Sequence, residues 1–136
     1  MRRFIRFACV ILVVSMFLVV PAQAAEQASH FFASHSCYLW EVSDSAFQVC
    51  FNVTAVDAMD TLGASEIIVQ RSADGDDWDD VATYYDFYGY NRSNYSEEIT
   101  YSSVESGYYY RARVTFYAEN DNGVGEYTSW TSSFRY

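Results

Sequence analysis

The sequence predicts an all-β fold, a sandwich of seven antiparallel strands. Short stretches alternate apolar and polar residues with the period of two that belongs to half-buried strands. Turn-forming residues separate these stretches, and none of comparable quality carries a helical period. Seven such segments within the length of one domain fit two packed sheets.

In chain order, the first strand has Tyr38, Trp40 and Val42 alternating with Cys37, Leu39 and Glu41. The second, Ala46 to Ala55, sets Phe47, Val49, Phe51 and Val53 on one face and Gln48, Cys50, Asn52 and Thr54 on the other. Asp57 to Ala64 reads as a loop. A third strand, Glu66 to Ser72, centres on Ile67, Ile68 and Val69. Ala73-Asp74-Gly75-Asp76-Asp77 reads as a hairpin turn, because Asp-Gly supplies the backbone conformations of a tight reversal. Trp78 to Tyr85 returns as its partner. Asp86 to Asn94 reads as a connection rich in Tyr, Gly, Asn and Ser, followed by a short strand from Tyr95 to Tyr101. Tyr108 to Ala118 has the clearest alternation, with Tyr110, Ala112, Val114 and Phe116 opposite Tyr109, Arg111, Arg113, Thr115 and Tyr117. Glu119 to Gly125 reads as a turn, and Glu126 to Tyr136 as the last strand.

The amino-terminal segment reads differently. Arg2, Arg3 and Arg6 precede an apolar run from Ala8 to Val20, and Pro21-Ala22-Gln23-Ala24 ends it with small residues. That is the pattern of a secretory signal peptide over residues 1–24, and the run is short of the roughly 20 residues that span a bilayer. The expectation is therefore a secreted, extracellular chain with no stable membrane anchor after cleavage. Residues 25–33 read as a flexible leader, and residues 34–136 as the one folded domain. Removing the first 24 of 136 residues leaves 112, with five arginines, no lysine and 18 acidic residues, for a net charge near −13. Such a domain repels phosphate backbones, so nucleic acid is not an expected partner. Cys9 leaves with the signal peptide, and Cys37 and Cys50 remain as an even pair in an oxidising compartment. If the aromatic faces point inward, both cysteines point outward and are expected to form a cross-strand disulfide.

Further residues resemble fibronectin type III domains. Val104-Glu105-Ser106-Gly107-Tyr108-Tyr109-Tyr110-Arg111-Ala112-Arg113-Val114 resembles that family's approach to its sixth strand. The resemblance makes Tyr110 the residue whose ring packs in the core while its hydroxyl bonds backbone upstream, with Gly107 and Val114 as structural neighbours. Asn120-Asp121-Asn122-Gly123-Val124-Gly125 is similar to the family's final turn, and Ile67 to Gly75 with Trp78 and Val81 to its central hairpin. Phe51 stands where the family usually keeps a core Trp. The resemblance implies a fibronectin type III/immunoglobulin-like sandwich over residues 34–136. It departs from the family in having no proline in the mature chain, in a longer sixth strand and in the Cys37/Cys50 pair. The chain as a whole also resembles small secreted single-domain proteins of Gram-positive bacteria.

Two surfaces stand out. Tyr84, Tyr85, Phe87, Tyr88, Tyr90, Arg92 and Tyr95 lie among Gly, Asn and Ser, the residue palette of adaptable binding loops, where rings also suit sugar faces. The same rings would equally serve as core and cross-strand pairs. Tyr109, Arg111, Arg113 and Tyr117 form an outward stripe of residue types common at interface centres, or else neutralise nearby acids. Asp74, Asp76, Asp77, Asp79 and Asp80 lack the ligand order of a calcium loop and read as a solvated hairpin tip. His30, His35 and Cys37 offer no fourth metal ligand, and no serine or acid pair is set out as catalytic machinery. The sequons at Asn52, Asn91 and Asn94 bear only on a eukaryotic secretory pathway. The sequence thus leads to an expected non-catalytic interaction module with no cofactor and no metal, engaging an extracellular protein or glycan. The alternative is a self-associating structural component of a surface assembly.

Overall fold

The computed structural model describes residues 30–136. The expected signal peptide and most of the leader lie outside the described residues. The rest is all-β, with strands β1 (Phe32–Ser43), β2 (Ala46–Ser72), β3 (Asp79–Tyr101), β4 (Tyr109–Asn120), β5 (Gly123–Trp130) and β6 (Phe134–Arg135). All pairings are antiparallel and belong to one sheet.

That sheet curls into two halves that face each other. In the first half, β2 from Phe47 to Thr54 lies between β1 and the end of β3 (Asn94–Tyr101). In the second, β2 from Met59 to Ser72 lies between the start of β3 (Asp79–Arg92) and β4, and β4 pairs onward with β5 and β6. β2 and β3 run through both. The larger of two register shifts in the ladder between them falls where Thr54 faces Asn94 and Met59 faces Arg92, so Ala55 to Ala58 have only Ser93 opposite on β3; the smaller lies between Val69 and Gln70. Extra residues on one strand bend it and raise the local twist. The bend folds one half over the other.

The core lies between the halves. Phe47, Val49, Phe51 and Val53 on β2 face Tyr110, Ala112, Val114, Phe116 and Ala118 on β4, and all nine are almost wholly buried. Ring centroids of Phe47 and Tyr110 lie 5.5 Å apart, and those of Phe51 and Phe116 lie 6.2 Å apart, so the aromatic alternation of each strand meets that of the other. The Tyr110 hydroxyl accepts the Glu105 N–H at 2.8 Å, five residues upstream. Gly107 reaches that corner with φ of 92°, a conformation costly for side-chain-bearing residues, and its N–H donates to the Tyr136 carbonyl at 2.6 Å.

Four sequence expectations are corrected. First, the described residues form six strands rather than seven: the expected loop at Asp57–Ala64 lies within β2, the expected connection at Asp86–Asn94 lies within β3, and the expected last strand divides into β5 and β6. Asp86 and Asn91 take positive φ of 64° and 53°, so turn-prone residues make local kinks and the strand continues past them. Second, the expected leader is partly structured: β1 begins at Phe32, Phe31 and Phe32 are buried, and the Phe31 ring packs against Gly125. Third, β1 turns its other face inward. Tyr38, Trp40 and Val42 are exposed, while His35, Cys37 and Leu39 point to the core side. Fourth, the cysteines are both free. The register sets Cys37 opposite Phe51 and Tyr38 opposite Cys50, an offset of one residue. Because successive side chains alternate sides, the two thiols lie on opposite faces of the sheet and cannot meet.

Two outcomes follow from this packing. Alkylation of denatured, unreduced protein is expected to label both Cys37 and Cys50, read by peptide mass spectrometry; a cross-linked Cys37–Cys50 peptide would contradict the register. Tyr110→Phe keeps the ring but leaves the Glu105 N–H without its acceptor, and chemical denaturation should show a loss of about 1–2 kcal/mol.

Candidate binding face

The second half of the sheet turns its outer side to solvent, and the register fixes what stands there. Residues directly opposite in antiparallel strands share a face. Across β5, β4, β2 and β3 the rows run Trp130–Arg113–Ile68–Thr83, then Thr128–Thr115–Glu66–Tyr85, then Glu126–Tyr117–Gly63–Tyr88, then Val124–Glu119–Thr61–Tyr90. The two surfaces that the sequence suggests separately therefore adjoin on one face.

Gly63 is the junction. A side chain there would run into the backbone of β3, since a Cβ would lie 1.9 Å from the Phe87 carbonyl oxygen. The missing side chain leaves a gap over which Tyr88 and Tyr117 lean from either side, and their ring centroids come within 5.3 Å. Two strand spacings are about 9.6 Å, so the rings close a distance their backbones do not. The Tyr117 hydroxyl donates to Glu119 at 2.7 Å, and that bond with partial burial pushes its pKa up to about 12.

The positive charges of the face are tied to neighbours. Arg113 pairs with Glu66 at 3.5 Å. The Arg111 guanidinium lies 4.2 Å from the Trp78 ring centre, and its Nε donates to Gln70 at 2.7 Å. Gln70 in turn donates to Asp80 at 2.8 Å, so a ring, a cation, an amide and an acid form one chain. Planar guanidinium suits such stacking because it is weakly hydrated and keeps its in-plane donors free. The Thr115 and Thr128 hydroxyls lie 3.1 Å apart in the next row. Ile68, in the middle of this outer face, is nonetheless buried.

The sequence-selected residues divide between the two sides of the sheet. Tyr85 and Tyr90 stand outward at 62 % and 66 % exposure, with Tyr88 half-buried beside them. Tyr84, Phe87 and Tyr95 pack against the core instead. Arg92 lies with its guanidinium 5.6 Å from the Tyr95 ring centre. Tyr109 sits at the far end of β4, beside Arg135 and against Gly75. Sequence reasoning missed Trp130, half exposed at the β5 edge of the face. Its signal was the two-residue turn Asp121-Asn122: with Asn120 opposite Gly123, counting back along both strands brings Trp130 opposite Arg113.

The acidic hairpin tip is organised from within. The Asp74 carboxylate accepts the N–H groups of Asp76 and Asp77 at 2.9 Å each and the Ser72 hydroxyl at 2.9 Å. These bonds lower its pKa from 3.8 to about 2. Gly75 makes the turn with φ of 83°. His35 faces inward with its ring 4.3 Å from that of Tyr127, and burial lowers its pKa. Among the described residues, no three His, Cys, Asp or Glu side chains converge as a metal-ligand set. A recess of about 420 Å³ between Phe31, Met59 and the β4–β5 turn contains Asp57 as its single carboxylate. Compared with protein-family models, curated proteins and solved structures, the chain matches none of them.

The Asp74 geometry fixes a pH dependence. A carboxyl lowered on folding contributes stability in full above its ordinary pKa of 3.8, and that contribution is lost as pH falls through the folded value of about 2. An NMR titration of the Asp74 carboxyl should show a midpoint near 2; a midpoint near 4 would mean that the turn bonds do not form in solution.

Proposed function

We propose that the chain is a secreted, non-catalytic interaction module of fibronectin type III-like architecture. Its contact surface is the outer face of β3, β2, β4 and β5, and its partner is an extracellular protein or glycan. The observation that carries this reading is the contact of Tyr88 with Tyr117 above Gly63. It joins two aromatic sets into one face, with Tyr85, Tyr90 and Trp130 standing out from it.

Exposed rings with one polar end give large contact area at low conformational cost. On this face they surround arginines already held in place by Glu66, Gln70 and Trp78, so little ordering is left for a partner to impose. The sandwich reading draws support from the strand arrangement. Counting the two halves of β2 and of β3 separately and leaving aside the two-residue β6, three segments face four, and the buried tyrosine bonded to backbone upstream recurs in such sandwiches. The secreted reading rests on Arg2, Arg3, Arg6, the apolar run and Ala22/Ala24.

The test is a protein and glycan array probed with the purified chain, followed by variants. Tyr85→Ala and Tyr90→Ala should each weaken retention by about tenfold, with melting temperature unchanged because both rings are mostly exposed. Retention that survives the double substitution would remove this face from consideration, and a fall in melting temperature would assign the rings to structure.

A further inference from the structure

The outer side of the other half carries a different feature. β1 pairs with β2 along one edge, and among the described residues no strand pairs with its second edge. From Ser34 to Glu41 the pairing with β2 is uninterrupted, so the free edge there is regular. Such an edge presents unpaired N–H and C=O groups, which folded proteins shield with Lys, Pro or other charge. β1 contains neither Lys nor Pro, and Glu41 is its single carboxylate. Its outward residues Tyr38, Trp40 and Val42 are 52 %, 61 % and 55 % exposed.

We infer that β1 is a docking edge for a second copy of this chain, the two β1 strands pairing antiparallel about a twofold axis. The β1–β2–β3 halves of two molecules then form one continuous sheet. A twofold pairing keeps the outward side chains on one face only if the axis passes through a residue, because a slip of one would put rings opposite core-side groups. An axis at Leu39 satisfies this. It sets Tyr38 opposite Trp40 of the second copy, twice over, and Glu41 opposite Cys37. No acid then faces an acid, and the two aromatic pairs are of the kind that stabilises neighbouring strands. This match of the edge to itself favours a second copy over an unrelated strand.

The dimer is weak and salt-dependent. Three partly exposed side chains per copy cover only a few hundred Å², below the roughly 1,200 Å² of a standard interface. The chain's net charge of −10 makes two copies repel until salt screens them. Cys50 lies opposite Tyr38 on the same outer side, so reductant is needed to exclude a disulfide-linked pair.

Sedimentation velocity on the purified protein, in reductant, tests the inference from about 10 μM to about 1 mM in low salt and in about 0.5 M NaCl. The expected result is a mass rising from one chain toward two with concentration, with tighter association at high salt. Trp40→Ser, which leaves charge unchanged, should weaken association about tenfold or more, while Tyr85→Ala on the opposite face should leave it unaltered. Hydrogen exchange provides a readout that needs no variant: β1 amides should gain protection with concentration. A single-chain mass throughout at high salt overturns the inference, as does association that Trp40→Ser leaves intact. Either result leaves the β3–β2–β4–β5 face untouched as the proposed contact surface.

Discussion

In the ladder of β2 with β3, Ala55 to Ala58 stand opposite Ser93 alone, and this mismatch turns one sheet into two facing layers. Without it, Phe47 to Val53 and Met59 to Val69 would continue in one plane, and their apolar sides would both face water. With it, the first stretch is carried over β4. Each buried apolar side chain is worth about 1.5–3 kcal/mol relative to exposure, so the rings and aliphatics between the layers far outweigh a locally broken ladder. The bend also accounts for an otherwise odd exposure: Val56 is half exposed at a strand centre because it stands on the outside of the corner.

The same constraint sets what the outer faces contain. Register on β4 is fixed from the inside by Tyr110, Ala112, Val114, Phe116 and Ala118, and this leaves Arg111, Arg113, Thr115 and Tyr117 no choice of side. The outer neighbours then settle among themselves, Arg113 with Glu66, Arg111 with Trp78 and Gln70, Tyr117 with Tyr88. Gly63 matters for two reasons at once: β3 approaches too closely for a side chain, and the vacant position lets rings from either side meet.

How much of this was legible in the sequence depended on whether a strand's two sides differ. On Ala46–Ala55 one side is Phe, Val, Phe, Val and the other largely polar; on β4 the contrast is equally sharp, and both orientations follow from composition. β1 offers Tyr38, Trp40 and Val42 against Cys37 and Leu39, so both sides are apolar and the larger rings suggest the wrong one. Only pairing with β2 decides it, because the residues opposite Phe47, Val49 and Phe51 must share their side. The free cysteines follow from that single inversion. The joined aromatic surface was half legible: its residues were identifiable, but their adjacency depends on Gly63 being a sheet position, and Gly63 reads as loop until the continuity of β2 is known.

Surface charge and strand edges act at different ranges, and that difference reconciles an acidic protein with an unshielded edge. Repulsion between like-charged molecules extends over about a Debye length, roughly 8–10 Å at physiological salt. Hydrogen bonding between strands acts only at about 4.8 Å and only in register. With 18 acids against eight arginines, the long-range term discourages random encounters everywhere on the surface. The short-range term rewards a partner that presents an extended backbone to β1 with apolar side chains on the matching side. A strand edge lacking its own protective residues is therefore tolerable in this chain because net charge performs the general guarding, and the stripe of Tyr38, Trp40 and Val42 restricts what can approach closely to a match in both register and side.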